Sequence, residues 1–313
     1  MKIAVTGANG FVGRAALRAI LEAGHEPVPL VRRPCALPGE SLVGDLSATT
    51  DWRAALAGCH SVIHLAARVH VMKDGAMDPL ALYRQVNRDG AIRLAQEAQA
   101  CGVKRMVFVS TAKVLGEFSP AGRPFLENDR LAPADPYAVA KAEAETALAG
   151  LARESGLELA IVRPPLVYGP GVGANFRSMM TWVRRGVPLP LGALDNRRSL
   201  VGVRNLADLL VRCCLHPAAA GGIFHATDHE DVSTADLLRR LAREMGRPSR
   251  LTPAPPALLN YVLRICGAGA IAQRLCADFQ LDCARTMTNL DWRPPATLDE
   301  ELQRTVQAFL APP

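Results

Sequence analysis

With 313 residues, 49% of them hydrophobic, the chain has apolar material for one large or two modest cores, and nothing in its composition suggests disorder. The formal charge of +6 suits an anionic partner, but no Lys/Arg run of the kind laid on duplexes occurs and only 5% of residues are aromatic, which argues against nucleic-acid partners. The 8 cysteines are scattered with no CxxC pair or metal-ligand spacing, no apolar run is long enough to cross a bilayer, and no signal segment precedes the first strand; the expectation is a cytoplasmic protein with no metal site and no membrane partner.

The chain opens on its most informative stretch, KIAVTGANGFVGRAAL (Lys2 to Leu17). Ile3, Ala4 and Val5, closed by Thr6, read as a short buried strand, and Val12, Ala15, Ala16, Ala19 and Ile20 continue at helical spacing. Between them Gly7, Gly10 and Gly13 stand at the spacing GxxGxxG. Strand, glycine turn and helix in that order suit a dinucleotide pyrophosphate. Gly7 permits the tight turn, Gly10 lets backbone approach the phosphates, and Gly13 lets the helix pack on the strand. The amides of the new helix, around Asn9, Phe11 and Val12, then face the anion.

His25 to Val31 reads as a second strand whose prolines suit a position near a sheet edge. Arg32 and Arg33 occupy the place where an acidic residue would take the ribose hydroxyls of NAD, which favours NADP(H) over NAD, with two solvated loop arginines as the structural alternative. Gly44, Asp45 and Leu46 close a short third strand, and Asp45 either caps a helix starting near Thr50 or meets the adenine. Ser61 to Ala67 reads as a parallel strand covered on both faces, with His64 a core histidine and Leu65, Ala66 and Ala67 facing the cofactor. A helix over Leu80 to Gln99 carries Asn87. The strand Arg105 to Val109 then ends in Ser110 and Thr111. This rhythm predicts a doubly wound parallel α/β sheet with its ligand crevice at the strand carboxyl ends.

DPYAVAKAEAE (135 to 145) starts a helix at Pro136, and Tyr137 and Lys141, four apart, project from one face. A phenol is a poor acid or base near neutral pH. A lysine ammonium one turn away, with the cationic ring of an oxidised nicotinamide, would favour the phenolate, and Thr111 could share the substrate oxygen.

With TGANGFVG (6 to 13), HLAA (64 to 67), Asn87, VSTAKVLG (109 to 116), PYAVAK, RPPLVYGPG (163 to 171), RRSLVGVRNLADLL (197 to 210) and LDWRPPATLDEEL (290 to 302), the chain resembles, end to end, the nucleotide-sugar epimerase/dehydratase branch of the extended short-chain dehydrogenase/reductases. The resemblance implies a Rossmann-type domain with a smaller C-terminal substrate lobe, divided as 1–168 (with a return at about 196–226) and 169–195 plus 227–313. It implies hydride transfer at a sugar carbon, catalysis by Thr111, Tyr137 and Lys141, Pro164 beside the cofactor, and a homodimer through two sheet-flanking helices. Arg68, Thr111 and Lys113 fall on its substrate side, and Asn175 and Arg198 on the nucleotide diphosphate. Arg198 is the better of the last two, because a guanidinium forks onto phosphate oxygens.

Two departures narrow the reading. Where dehydratases carry an Asp-Glu pair after the threonine this chain has Ala112 and Lys113, so 4,6-dehydration is disfavoured. The tyrosine of the family's VYG is Leu115. Farther on, Leu159 to Val167 reads as one strand, with Tyr168, Gly169 and Pro170 turning the chain out of the sheet. Ser233 or Thr234 caps a helix, an apolar helix covers Leu258 to Ala270, and Arg285 could reach a phosphate. Likeness to bacterial O-antigen enzymes in ARVHVMKD and NRRSLV points to reduction of a UDP-4-keto-6-deoxy-N-acetylhexosamine. A UDP-hexose 4-epimerase with bound NAD is the alternative reaction, and a catalytically silent NAD(P)-sensing protein is the alternative of another class.

Overall fold

Alternation along β1 (Lys2–Thr6) sets the layers. Ile3 and Val5 face one apolar core and Ala4 the other, as the period of two requires. The computed structural model describes residues 1–69, 78–265, 269 and 275–311. In it β1 joins β2 (Glu26–Val31), β3 (Ser41–Leu42), β4 (Ser61–His64), β5 (Arg105–Val109), β6 (Glu158–Arg163) and β9 (Ile223–His225) in the order β3-β2-β1-β4-β5-β6-β9, every neighbouring pair parallel. Helices α1 (Phe11–Glu22) and α7 (Val203–Leu215) share the core of Ile3 and Val5. On the opposite face α4 (Gly90–Ala100) and α5 (Pro136–Ser155) share that of Ala4. The sheet is the doubly wound Rossmann-like arrangement the sequence predicts.

Several boundaries differ from expectation. Pro27 and Pro29 face β1 at Ile3 and Val5, whereas β3 reaches only Leu30 and Val31, so neither proline costs a ladder bond on the outer side. The third strand is Ser41–Leu42, which ends before the Gly44, Asp45 and Leu46 expected to close it, and Asp45 does not cap the helix that follows. The helix after it, α2 (Arg53–Leu56), is preceded by Trp52 with no side-chain cap. The expected helix 80–99 is α3 (Pro79–Tyr83), a π-helical segment (Arg84–Asp89) and α4. The expected strand 159–167 divides at Pro164-Pro165, where the chain leaves the large sheet three residues before Tyr168. Two residues without a backbone donor end β6, and β7 (Leu166–Tyr168) pairs elsewhere.

Its partner is β8 (Arg198–Gly202), parallel, which also pairs antiparallel with β10 (Asp231–Val232). Around this small sheet α6 (Ala174–Arg185), α8 (Thr234–Glu244) and α11 (Leu298–Leu310) bury Phe176, Met180, Leu237, Leu241, Leu302 and Val306 against Tyr168, Leu200 and Val232. Of the two candidate caps, Ser233 caps α8, accepting from the Asp236 amide at 2.9 Å, while the Thr234 hydroxyl donates to the Leu275 carbonyl. Helix α9 (Pro256–Ile265) covers the start of the expected helix 258–270, of which 266–268 and 270 lie outside the described residues, as does ARVHVMKD from position 70 onward. Helix α10 (Ala284–Leu290) precedes α11.

Candidate active site

The glycine turn is shaped by exclusion. Gly7 sits at φ +67°, and a Cβ there would come 3.0 Å from the Ala66 nitrogen and Cα. At Gly13 one would come 2.2 Å from the Gly7 carbonyl oxygen, so α1 packs on β1 at a distance no side chain allows. The Gly10 amide donates to that same carbonyl at 2.9 Å and Gly10 caps α1 without a side chain, leaving the first-turn amides of Phe11, Val12 and Gly13 with no acceptor inside the helix. Such a cradle fits a pyrophosphate.

The turn after β4 is pinned to it. The Thr6 hydroxyl accepts from the amides of Leu65 and Ala66, both at 3.1 Å, and is 2.8 Å from His64 Nδ1. With its lone pairs taken, the hydroxyl donates to Nδ1, which assigns the proton of the neutral ring to Nε2. Burial, with the Lys141 charge adding, pushes the His64 pKa down to about 3. His64 is thus a core residue, as expected, and orients the Thr6 hydroxyl that holds Leu65 and Ala66 against Gly7.

Other expected cofactor residues take different positions. Arg32 pairs with Asp45 at 3.3 Å, both largely exposed, and Arg33 is exposed. Leu46 lies against Gly90. Asn87 is fully buried and spends its amide on the Arg68 backbone, accepting from its nitrogen at 2.8 Å and donating to its oxygen at 3.0 Å. It shapes the segment beside the crevice.

The tyrosine and lysine stand on the first turns of α5. Asp135 caps that helix, accepting from the Ala138 amide at 2.8 Å through Oδ1, and accepts from Lys113 Nζ at 2.7 Å through Oδ2. The half-buried Tyr137 ring meets Tyr83 edge-on at 6.1 Å, with Arg68 5.8 Å from the Tyr83 ring centre. Lys141 is 2% exposed, donates to the Val109 carbonyl at 2.7 Å and lies 4.3 Å from the Phe108 ring centre. Burial lowers the Lys141 pKa to about 7, and burial together with the Asp135 charge raises that of Tyr137 above its ordinary value. Burial first, and the Asp135 charge second, thus favour the protonated phenol.

Thr111 and Tyr137 open together into a cavity of about 580 Å³, whose wall also includes Lys113, Pro164, Asn175 and Arg198. Arg198, half-buried at the start of β8, donates to the Ala277 carbonyl at 3.0 Å and lies 5.8 Å from the Phe279 ring centre. Asn175 is exposed on the first turn of α6. Arg285 is exposed on α10 and is not on this wall. Among the wall residues the sequence reading missed are Glu117, Phe118, Leu166, Leu275 and Phe279. A signal existed for Phe118 alone, an aromatic directly after the turn at Gly116; the others meet the cavity only through tertiary pairing such as the bridge between Arg198 and Phe279. Among the described residues no cluster of His, Cys, Asp or Glu could hold a metal, and no helix is long and apolar enough to cross a membrane.

Comparison with known proteins agrees with this geometry. The model of the NAD dependent epimerase/dehydratase family matches residues 3–226. The chain is 42% identical over 312 residues to a UDP-glucose 4-epimerase of Vibrio cholerae, covering 98% of this chain and 95% of that one. It is 28% identical over 300 residues to a ceramide reductase of Caulobacter vibrioides, covering 93% and 86%. Among solved structures, a dTDP-glucose 4,6-dehydratase of Streptomyces venezuelae with NAD bound superposes with a TM-score of 0.78 at 25% identity over 99% of this chain and 97% of that one.

Proposed function

The chain belongs to the NAD-dependent epimerase/dehydratase family, and on that premise we propose that it inverts C4 of a UDP-linked hexose, with NAD held at the glycine turn. The observation that carries this reading is the single cavity shared by Thr111, Tyr137 and Arg198. It joins a proton donor at the sheet's carboxyl end to a guanidinium fit for a diphosphate. Residues 1–168 with 196–226 then serve the cofactor, residues 169–195 with 227–313 serve the sugar nucleotide, and two copies pair through the sheet-flanking helices.

NAD, when bound, supplies the hydride acceptor and donor for the sugar carbon. Tyr137 takes the proton of the C4 hydroxyl as the carbonyl forms and returns it when C4 is reduced from the other face. Thr111 holds that oxygen, and Lys141 adds positive charge beneath the site from its seat on the Val109 carbonyl. Ala112 and Lys113 give no carboxylate to remove water, so the reaction ends at C4.

Reduction of a UDP-4-keto-6-deoxy-N-acetylhexosamine uses the same three residues, and the motif likeness of NRRSLV keeps it as the second reading. Incubating the protein with UDP-glucose or UDP-N-acetylglucosamine and substoichiometric NAD separates the two. C4-inverted product without net cofactor turnover supports epimerisation. Stoichiometric oxidation of NADH or NADPH with the 4-keto sugar, and no inversion, replaces it.

A further inference from the structure

Helix α9 carries apolar residues on an outward face as well as on an inward one. It buries Leu259 beside Leu191, Leu194 and Leu238, yet presents Leu258, Tyr261 and Ile265 to solvent at 55%, 64% and 68% exposure. The spacing i, i+3, i+7 puts these three on one stripe. The segment that leads into α9 is bridged to the end of α6 by Leu189 and Leu251, and there Trp182 and Val187 are again exposed, at 38% and 40%. Isolated exposed apolar residues are ordinary, but a helical stripe continuing toward a second exposed pair marks an interaction surface.

Its charge names the partner. No Asp or Glu occurs in the sequence from Gly171 to Leu194 or from Met245 to Ala277, while Arg177, Arg184 and Arg185 lie in the first stretch and Arg247, Arg250, Arg264 and Arg274 in the second. Arg177, Arg184, Arg185, Arg247 and Arg250 are all exposed, and Arg250 donates to the Gly186 carbonyl, which ties the two stretches together. The nearby acids of α8 are engaged, Asp236 by Arg240 and Glu244 by Arg243. An outward apolar stripe set in a surround where exposed arginines outnumber the one exposed acid beside it, Asp195, matches the boundary of an anionic bilayer, where acyl chains receive the stripe and headgroup phosphates the arginines.

We propose that this lobe docks on the surface of an anionic membrane through the outer face of α9 and the end of α6. The inference stands apart from the proposed reaction, since it rests on residues outside the catalytic cavity. Docking there adjoins the substrate site, because Leu275 and Met179 pack on the cluster that seats Leu259 and also line the cavity wall. Among the described residues no helix is long and apolar enough to cross a bilayer; attachment to its surface needs only this face.

The test is cosedimentation of the full chain with vesicles of phosphatidylglycerol and phosphatidylcholine, against phosphatidylcholine alone, with cofactor titration as the control for folding. The chain should pellet with the anionic vesicles at low salt and be released as salt screens the arginines. The variant Leu258→Ser/Tyr261→Ser/Ile265→Ser should still bind NAD and lose vesicle affinity by about tenfold or more. The charge variant Arg184→Gln/Arg185→Gln/Arg250→Gln should lose it similarly, and decides the matter if the first variant does not fold. A chain that stays in the supernatant, or folded variants that bind as the parent does, overturns the proposal. So does a stripe variant whose only change is from dimer to monomer, which would make this face an interface between copies.

Discussion

The glycine turn and the substrate cavity meet at the carboxyl end of one sheet, yet they are made from opposite materials. The turn is backbone: Gly7, Gly10 and Gly13 lie within seven consecutive positions, and what each supplies is the absence of a side chain. The cavity is side chain, gathered from Phe11 to Phe279 and held by elements that touch only after the chain has folded. Damage to the first should therefore be all or none, whereas damage to the second should divide into separate losses of chemistry and of binding.

The sharpest way to break that contrast is Gly13→Val. A Cβ 2.2 Å from the Gly7 carbonyl forces α1 off β1, so the variant should lose NAD binding and about 3–5 kcal/mol of stability, measured by cofactor titration and urea unfolding. Retained NAD affinity would show that close packing of α1 is dispensable. In the cavity, Tyr137→Phe should lower kcat by about 10²- to 10⁴-fold with little change in KM, because it removes only the proton donor. Arg198→Met should do the reverse, raising KM for the sugar nucleotide about 10- to 100-fold through loss of charged hydrogen bonds to phosphate. Equal effects of the two substitutions on kcat would mean that the cavity acts as one unit.

The same contrast governs how much could be read from the chain. The first strand, turn and helix were legible because the interactions are local, and so was the pairing of Tyr137 with Lys141, which one helical turn fixes. Asn87 was placed in the correct helical region but not with its partner, since only tertiary structure brings it to the Arg68 backbone. Lys141 was expected beside Tyr137, and the contact by which one of its donors reaches Val109, the end of a strand thirty-two positions earlier, had no local signal. Pro164 and Pro165 were visible and still read through, because apolar residues on both sides disguised two strands of different sheets as one. Phe279 and Leu275 carried no local signal at all.

Buried titratable groups beneath the two regions give a smaller effect. His64 has a folded pKa of about 3 against 6.5 for the free ring, so the unfolded chain takes up a proton that the native one refuses, and stability falls as pH drops from about 6.5 toward 3. Lys141, lowered from 10.5 to about 7, acts in the same sense higher up: stability should rise with pH between about 7 and 10.5. Melting temperatures followed across pH should show a shallower acid limb for His64→Gln and a shallower alkaline limb for Lys141→Met. Unchanged limbs would mean that neither site excludes its proton.

The smallest effect separates the cofactors. Arg32 was read as a ligand for a 2′-phosphate, but its guanidinium lies 3.3 Å from the Asp45 carboxylate, and the pair is largely exposed. An exposed ion pair contributes about 0–1 kcal/mol, so Arg32→Ala should leave stability nearly unchanged and NAD affinity within about threefold of the parent. NADPH affinity, measured in parallel, decides what the arginine is for. If it too stays within that range, Asp45 holds Arg32 in both states and the site takes NAD, in keeping with the family. A selective loss for NADPH would show that the guanidinium leaves Asp45 for a phosphate, and reduction with dissociable NADPH would then displace epimerisation.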